Sequence, residues 1–70
     1  MSKTIRISLN GEARDLDEGL DLLALVRSLG LDPERVAVEL DRRIVKRADW
    51  PATTLREGSE VEVVQFVGGG

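Results

Sequence analysis

The sequence predicts an α+β domain in which one helix lies across one mixed sheet and a bare glycine tail follows the last strand. Three observations carry this reading. Residues 4–9 alternate polar and apolar with the period of a half-buried strand and run into Asn10-Gly11, a pair well suited to a hairpin turn. Between residues 22 and 29, leucines and a valine recur at three-and-four spacing, as on one face of a helix. Residues 61–67 alternate again and stop at Gly68-Gly69-Gly70. A helix of about two to three turns is not stable alone. Packing it across the sheet is the simplest two-layer solution.

Seventy residues make one domain with a small core. Ten basic and thirteen acidic residues leave a net charge of −3, which gives no electrostatic ground for binding nucleic acid or an acidic membrane. The chain has neither Cys nor His, so disulfides, thiolate chemistry and Cys/His metal sites are excluded. Met1-Ser2-Lys3 leads straight into strand-like sequence. With no signal peptide or spanning segment in view, a cytoplasmic protein is expected.

In the first strand Ile5, Ile7 and Leu9 point inward. Residues 12–16 return as a second strand with Leu16 inward, and residues 17–19 break the pattern. Asp21 is placed to cap a helix over 22–29. Its apolar face is Leu22, Leu23, Val26 and Leu29, with Leu25 at the edge. Arg27 suits the C-terminal end of the dipole and Gly30 a left-handed cap. Residues 31–34 read as a linker around Pro33. Residues 36–40 form the next strand, with Val36, Val38 and Leu40 inward. Asp41-Arg42-Arg43 is a tight connection to a short strand at Ile44-Val45. Residues 46–54 read as irregular, with Trp50 closing one end of the core just before a turn at Pro51. Leu55 anchors the core, and Glu57-Gly58 turns the chain into its last strand.

That strand has two faces. Val61, Val63, Gln65 and Val67 share the core face; Glu60, Glu62, Val64 and Phe66 share the other. The second face begins charged and becomes apolar beside the tail. Val64 and Phe66 are therefore expected to dock a partner.

No catalytic residue is expected. There is no His base or Cys nucleophile, and the serines and threonines lack an evident activating partner. Asp15, Asp17, Glu18 and Asp21 lack the ligand spacing and central glycine of a calcium loop and read as solvated surface, so no metal is expected. The remaining reactive group is the Gly70 carboxylate. It is a poor acyl donor until it becomes an acyl-adenylate, which sulfur or nitrogen nucleophiles can attack. That chemistry belongs to a partner using ATP and Mg²⁺, and this chain is the carried substrate. A backbone without side chains at Gly68 and Gly69 can thread a narrow channel.

Essentially the whole chain resembles the ThiS family, bacterial sulfur carriers of thiamin biosynthesis. The strongest part is the ending Val61-Glu62-Val63-Val64-Gln65-Phe66-Val67-Gly68-Gly69-Gly70. Supporting parts are Asn10-Gly11-Glu12, Leu22-Leu23-Ala24-Leu25 with Leu29-Gly30, and Val36-Ala37-Val38-Glu39-Leu40. Ile44-Val45, Asp49-Trp50, Thr54-Leu55 and Gly58 also match. The resemblance implies a ubiquitin-like β-grasp domain over residues 1–67 and a flexible reactive tail over 68–70. It implies that Gly70 is adenylated by a ubiquitin-activating-like enzyme, ThiF, and converted to a thiocarboxylate with sulfur drawn from cysteine through a desulfurase. The sulfur then goes to thiazole synthase, ThiG, where it joins a deoxyxylulose-phosphate-derived intermediate and dehydroglycine. The family's terminal Gly-Gly corresponds to Gly69 and Gly70, and Gly68 to the extra glycine of many members. Val64 and Phe66 correspond to the apolar surface that meets those enzymes. No cofactor bound by the chain is implied. One departure is Asp41-Arg42-Arg43, where members often carry Asn-Gly or a similar pair, so a different turn geometry is open there. No residue follows Gly70, so no processing step is expected. The sulfur carrier of molybdopterin synthesis, a ubiquitin-like modifier forming isopeptide bonds, and an interaction domain with an inert tail are the alternative readings.

Overall fold

In the computed structural model, which describes residues 3–66, the alternation of residues 4–9 becomes strand β1 (Thr4–Leu9), with Ile5, Ile7 and Leu9 buried. Asn10 and Gly11 turn the chain at φ of 51° and 83°. This left-handed pair matches the twist of a two-residue hairpin. Strand β2 (Glu12–Asp17) returns one residue further than the alternation suggested, because Thr4 still has a partner in Asp17. Helix α1 (Leu22–Ser28), strand β3 (Val36–Leu40), strand β4 (Arg43–Val45) and strand β5 (Glu60–Gln65) follow.

The sheet runs β2-β1-β5-β3-β4. β1 and β5 are parallel; the other neighbours are antiparallel. This is the ubiquitin-like β-grasp, a mixed sheet packed on a single main helix. The expected boundary between residues 67 and 68 lies outside the described residues.

Asp21 caps α1 as anticipated, its Oδ1 accepting from the Ala24 N–H at 2.8 Å. At the other end Leu29 is the cap, and Gly30 takes the left-handed conformation at φ 75°. Gly30 N–H donates to Arg27 O and Leu31 N–H to Val26 O, the paired bonds of a Schellman ending. The helix is turned slightly from the expected face. Leu22, Leu25 and Val26 are fully buried, whereas Leu23 and Leu29 only flank the core. Leu25 thus moves from the edge to the centre. With so many apolar residues in so short a helix, spacing alone did not fix which of them the sheet would cover.

The expected linker contains a short 3₁₀ turn, Pro33–Arg35, capped by Asp32. Residues 46–54 are likewise more ordered than their sequence suggests, with a 3₁₀ helix over Arg47–Ala52 that includes Pro51. It sets Trp50 into the core at 1% exposure, and the indole N–H donates to Val45 O at 2.8 Å. The lid role expected of Trp50 is what the structure places there. Leu55, also expected in the core, is buried.

The β3–β4 turn resolves the departure at residues 41–43. Asp41 and Arg42 both have positive φ, 50° and 69°, the geometry for which Asn-Gly is preferred. Asp41 is tied down: its N–H donates to Glu60 O at 2.7 Å, and its Oδ1 accepts from the Glu60 N–H at 2.9 Å. Arg42 has only a 3.8 Å approach to Glu60 between exposed groups, which contributes little. Arg42→Gly is therefore expected to stabilise the domain by about 0.5–1 kcal/mol, relief of left-handed strain outweighing the added freedom of the unfolded chain. A urea midpoint lower than that of the parent chain would contradict this.

Candidate functional site

The surface of interest lies at the C-terminal end of β5, and the sheet's register builds it. β5 is central, with β1 on one side and β3 on the other. Opposite β3, Val63 faces Val38, Val64 faces Ala37 and Gln65 faces Val36. Side chains alternate along the strand, so Val61 and Val63 turn to the helix side while Val64 turns away. Val61 is buried and Val63 half-buried; Val64 and Phe66 are each 55% exposed. The expected division of faces holds within the described residues. Phe66 lies one residue past the strand, yet its N–H still donates to Arg35 O at 2.7 Å. Its backbone is thus held while its ring stands in solvent.

Ile44 joins this face. It pairs with Glu39, which pairs in turn with Glu62, so all three project from the side opposite the helix. Ile44 is 77% exposed. Its strand was too short to orient from its own residues, and only the pairing with β3 reveals its direction. Glu39 and Glu62 are cross-strand neighbours of like charge, an arrangement that costs stability. The outer face therefore carries one row running from Ile44 through Glu39 to Glu62, beside the apolar Ala37–Val64 row.

On the other edge of β5, β1 stops early. Ser8 N–H donates to Ser59 O, and Asn10 N–H to Val61 O. The Asn10 side chain then continues the pairing. Its Oδ1 accepts from the Val63 N–H at 2.8 Å, and its Nδ2 donates to Val63 O at 3.3 Å. The carboxamide occupies the place of a strand residue and lets the backbone turn away at Gly11. The sequence showed Asn10 as a turn residue; its hold on a strand 53 residues away was not legible.

Gly68, Gly69 and Gly70, the expected channel-threading and modified residues, lie outside the described residues, as does Val67. The acidic residues at the helix entrance have separate tasks. Asp15 pairs across the hairpin with Arg6 at 2.9 Å, and the guanidinium's hydrogen bond and charge hold its carboxyl below the ordinary carboxylate range. Asp21 caps the helix. No His, Cys, Asp or Glu group among the described residues is arranged to hold a metal ion. The buried hydroxyl of Ser59 accepts from the Arg56 N–H at 3.0 Å, a turn contact. No helix among the described residues is long and apolar enough to cross a membrane.

Comparison with known proteins points one way. Residues 7–70 match the profile of the ThiS family. A segment of the thiazole synthase of Magnetococcus marinus is 42% identical over 66 residues, covering 94% of this chain. The match spans only 20% of that protein's length. The sulfur carrier protein ThiS of Thermus thermophilus is 39% identical over 62 residues, covering 89% of this chain and 95% of the relative. Among solved structures, the crystal structure of the thiamine biosynthesis protein ThiS from Geobacter metallireducens superposes with a TM-score of 0.81 at 33% identity. It covers 94% of this chain and all of that one.

Proposed function

The chain belongs to the ThiS family, and on that footing we propose that it is a sulfur carrier of thiamin biosynthesis, with Gly70 as the modified residue. The observation that carries the proposal is the conjunction at the end of β5: exposed Val64 on the central strand and exposed Phe66 one residue past it, shortly before a run of glycines in the sequence. The domain supplies a handle, and the tail over 68–70 supplies the reacting group. Gly68 and Gly69 pass through the enzyme's channel while Val64 and Phe66 hold its surface.

In the first step a Gly70 carboxylate oxygen attacks the α-phosphorus of ATP and pyrophosphate leaves. ATP and Mg²⁺ are held by a ThiF-like adenylating enzyme. A sulfur nucleophile, supplied through a cysteine desulfurase, then attacks the acyl carbon and AMP departs. Where that nucleophile is a persulfide on the donor, the product is an acyl disulfide; a thiol attacks the donor's sulfur, forming a disulfide with it, and the chain leaves as a thiocarboxylate. A ThiG-like thiazole synthase accepts that sulfur. The chain contributes no catalytic side chain and binds no cofactor. The carrier-like segment within a thiazole synthase favours this acceptor over a molybdopterin pathway. The test is intact mass after incubation with the adenylating enzyme, ATP and a sulfur source. Replacement of one oxygen by sulfur at Gly70 supports the reading, and an unchanged mass refutes it.

Phe66→Asp separates docking from chemistry. The ring is outside the core, so the variant should fold with an unchanged circular dichroism spectrum. Burying the new carboxylate in a complex is costly without a partner charge. Affinity for the adenylating enzyme and for the synthase should each fall at least about tenfold, or about 1.4 kcal/mol. Loading should recover in part at high enzyme concentration. Unchanged affinity for both would remove Phe66 from the docking surface.

A further inference from the structure

We propose that the unpaired edge of β5 at Gln65 receives an extended segment of the adenylating enzyme as an added strand, a deeper statement that rests on the carrier reading above. The argument starts from which way the backbone groups of β5 point. Glu60 O accepts from the Asp41 N–H and Phe66 N–H donates to Arg35 O, so even-numbered residues bond toward β3. Ser59 O, Val61 O and both backbone groups of Val63 bond toward β1 and Asn10, so odd-numbered residues bond the other way. Gln65 is the next odd residue, and its N–H and C=O point into the space where β1 would have continued.

That space has no occupant among the described residues. The pairing of β1 with β5 ends at Leu9 and Val61, and the Asn10 side chain serves only Val63. The result is an opening one strand wide, in the middle of a sheet, directly before Phe66 and the tail. Exposed strand edges are ordinarily blunted by charge. The outer edge of the sheet follows that rule, since β2 carries Glu12, Arg14, Asp15 and Asp17. The opening at Gln65 is bordered by the neutral side chains of Gln65 and Asn10 and has no such guard.

An enzyme that acts on the Gly70 carboxylate must draw the intervening residues out straight. Gly70 is the fifth residue after Gln65, a reach of about 17 Å in extended chain. Strand addition at Gln65 fixes the direction and register of that reach through main-chain bonds alone. It does so independently of the apolar grip on Val64 and Phe66. The enzyme strand begins at Gln65 and runs beside the carrier toward its tail.

The test removes one backbone donor. A semisynthetic chain with an ester in place of the Gln65 amide lacks that N–H and keeps every side chain. Gln65→Pro removes the same donor by mutation, and Gln65→Ala is the control that retains it. Neither neighbouring strand uses this N–H, and the ester only weakens the Val64 C=O as an acceptor toward β3, so the ester chain should stay folded with a urea midpoint slightly below the parent's. Its affinity for the adenylating enzyme should fall about tenfold, with Gln65→Ala unchanged. Unfolding of both the ester chain and Gln65→Pro, which keeps the Val64 amide carbonyl, would show the N–H to be used within the domain and would overturn the proposal. So would a folded ester chain with undiminished affinity, or parent chains that dimerise through this edge in sedimentation. If the parent itself is not adenylated, the carrier reading fails and the proposal with it. If the parent loads and the ester chain loads equally well, only the strand addition fails.

Discussion

A chain ending at Gly69 is expected to fold like the parent and to fail at sulfur loading. Among the described residues, every core residue lies between Ile5 and Val61, and the half-buried Val63 is the last hydrophobic residue packed against them. Removing Gly70 leaves all of these residues in the chain, so the thermal midpoint should hardly move. The new carboxylate, however, sits one residue short, displaced by about 3.4 Å along an extended chain. A misplacement of 1 Å can cost about a hundredfold in rate, so adenylate formation should fall by at least about that factor. The proposed docking residues Val64 and Phe66 are unchanged, and the shortened chain should therefore compete with the parent for the enzyme. Thermal unfolding, pyrophosphate release and competition by the shortened chain are the three measurements. A shortened chain that loads at the parent's rate would sever Gly70 from the chemistry.

The largest effect on stability is expected from Trp50→Ala. Trp50 is among the most buried residues in the domain, and its indole N–H satisfies Val45 O on the edge strand. Truncating a buried Trp costs about 3–5 kcal/mol. A chain of this length has about 4–10 kcal/mol of stability in total, so the variant should lose most of its margin. Trp50→Phe keeps much of the apolar volume and loses the hydrogen bond, and should cost clearly less. Urea unfolding of both variants is the measurement. A Trp50→Ala chain within about 1 kcal/mol of the parent would show that the 3₁₀ segment is not what closes the core.

The parts of the fold legible in the sequence are those governed by local rules. The alternation of residues 4–9, the Asn10-Gly11 turn, the Asp21 cap and the strand at residues 36–40 each follow from neighbouring residues and appear in place. The unread parts depend on what is brought against them. The burial of Leu25 is decided by where the sheet lies, and the direction of Ile44 by pairing with β3. The 3₁₀ helix around Trp50 has no amphipathic period to announce it. At the candidate site, the exposure of Val64 and Phe66 was readable because alternation is local. The hold of Asn10 on Val63 and the open edge at Gln65 were not, because both arise where a parallel strand from the far end of the chain meets a hairpin.

The strand that bears the tail is both the centre of the sheet and, in sequence order, the last of the described elements. Before it docks, β1–β2 and β3–β4 are two hairpins with no strand joining them. Closing the sheet requires contacts as distant as Asn10 with Val63, 53 residues apart, a slow kind of pairing for a small domain. Assembly thus waits on the segment that leads into the reactive end. A chain terminated or clipped before β5 has no continuous sheet, no apolar handle and no terminal glycines. On the carrier reading proposed above, such a fragment lacks both the docking side chains and the reacting carboxylate. Closure of the sheet and presentation of Val64 therefore depend on the same strand.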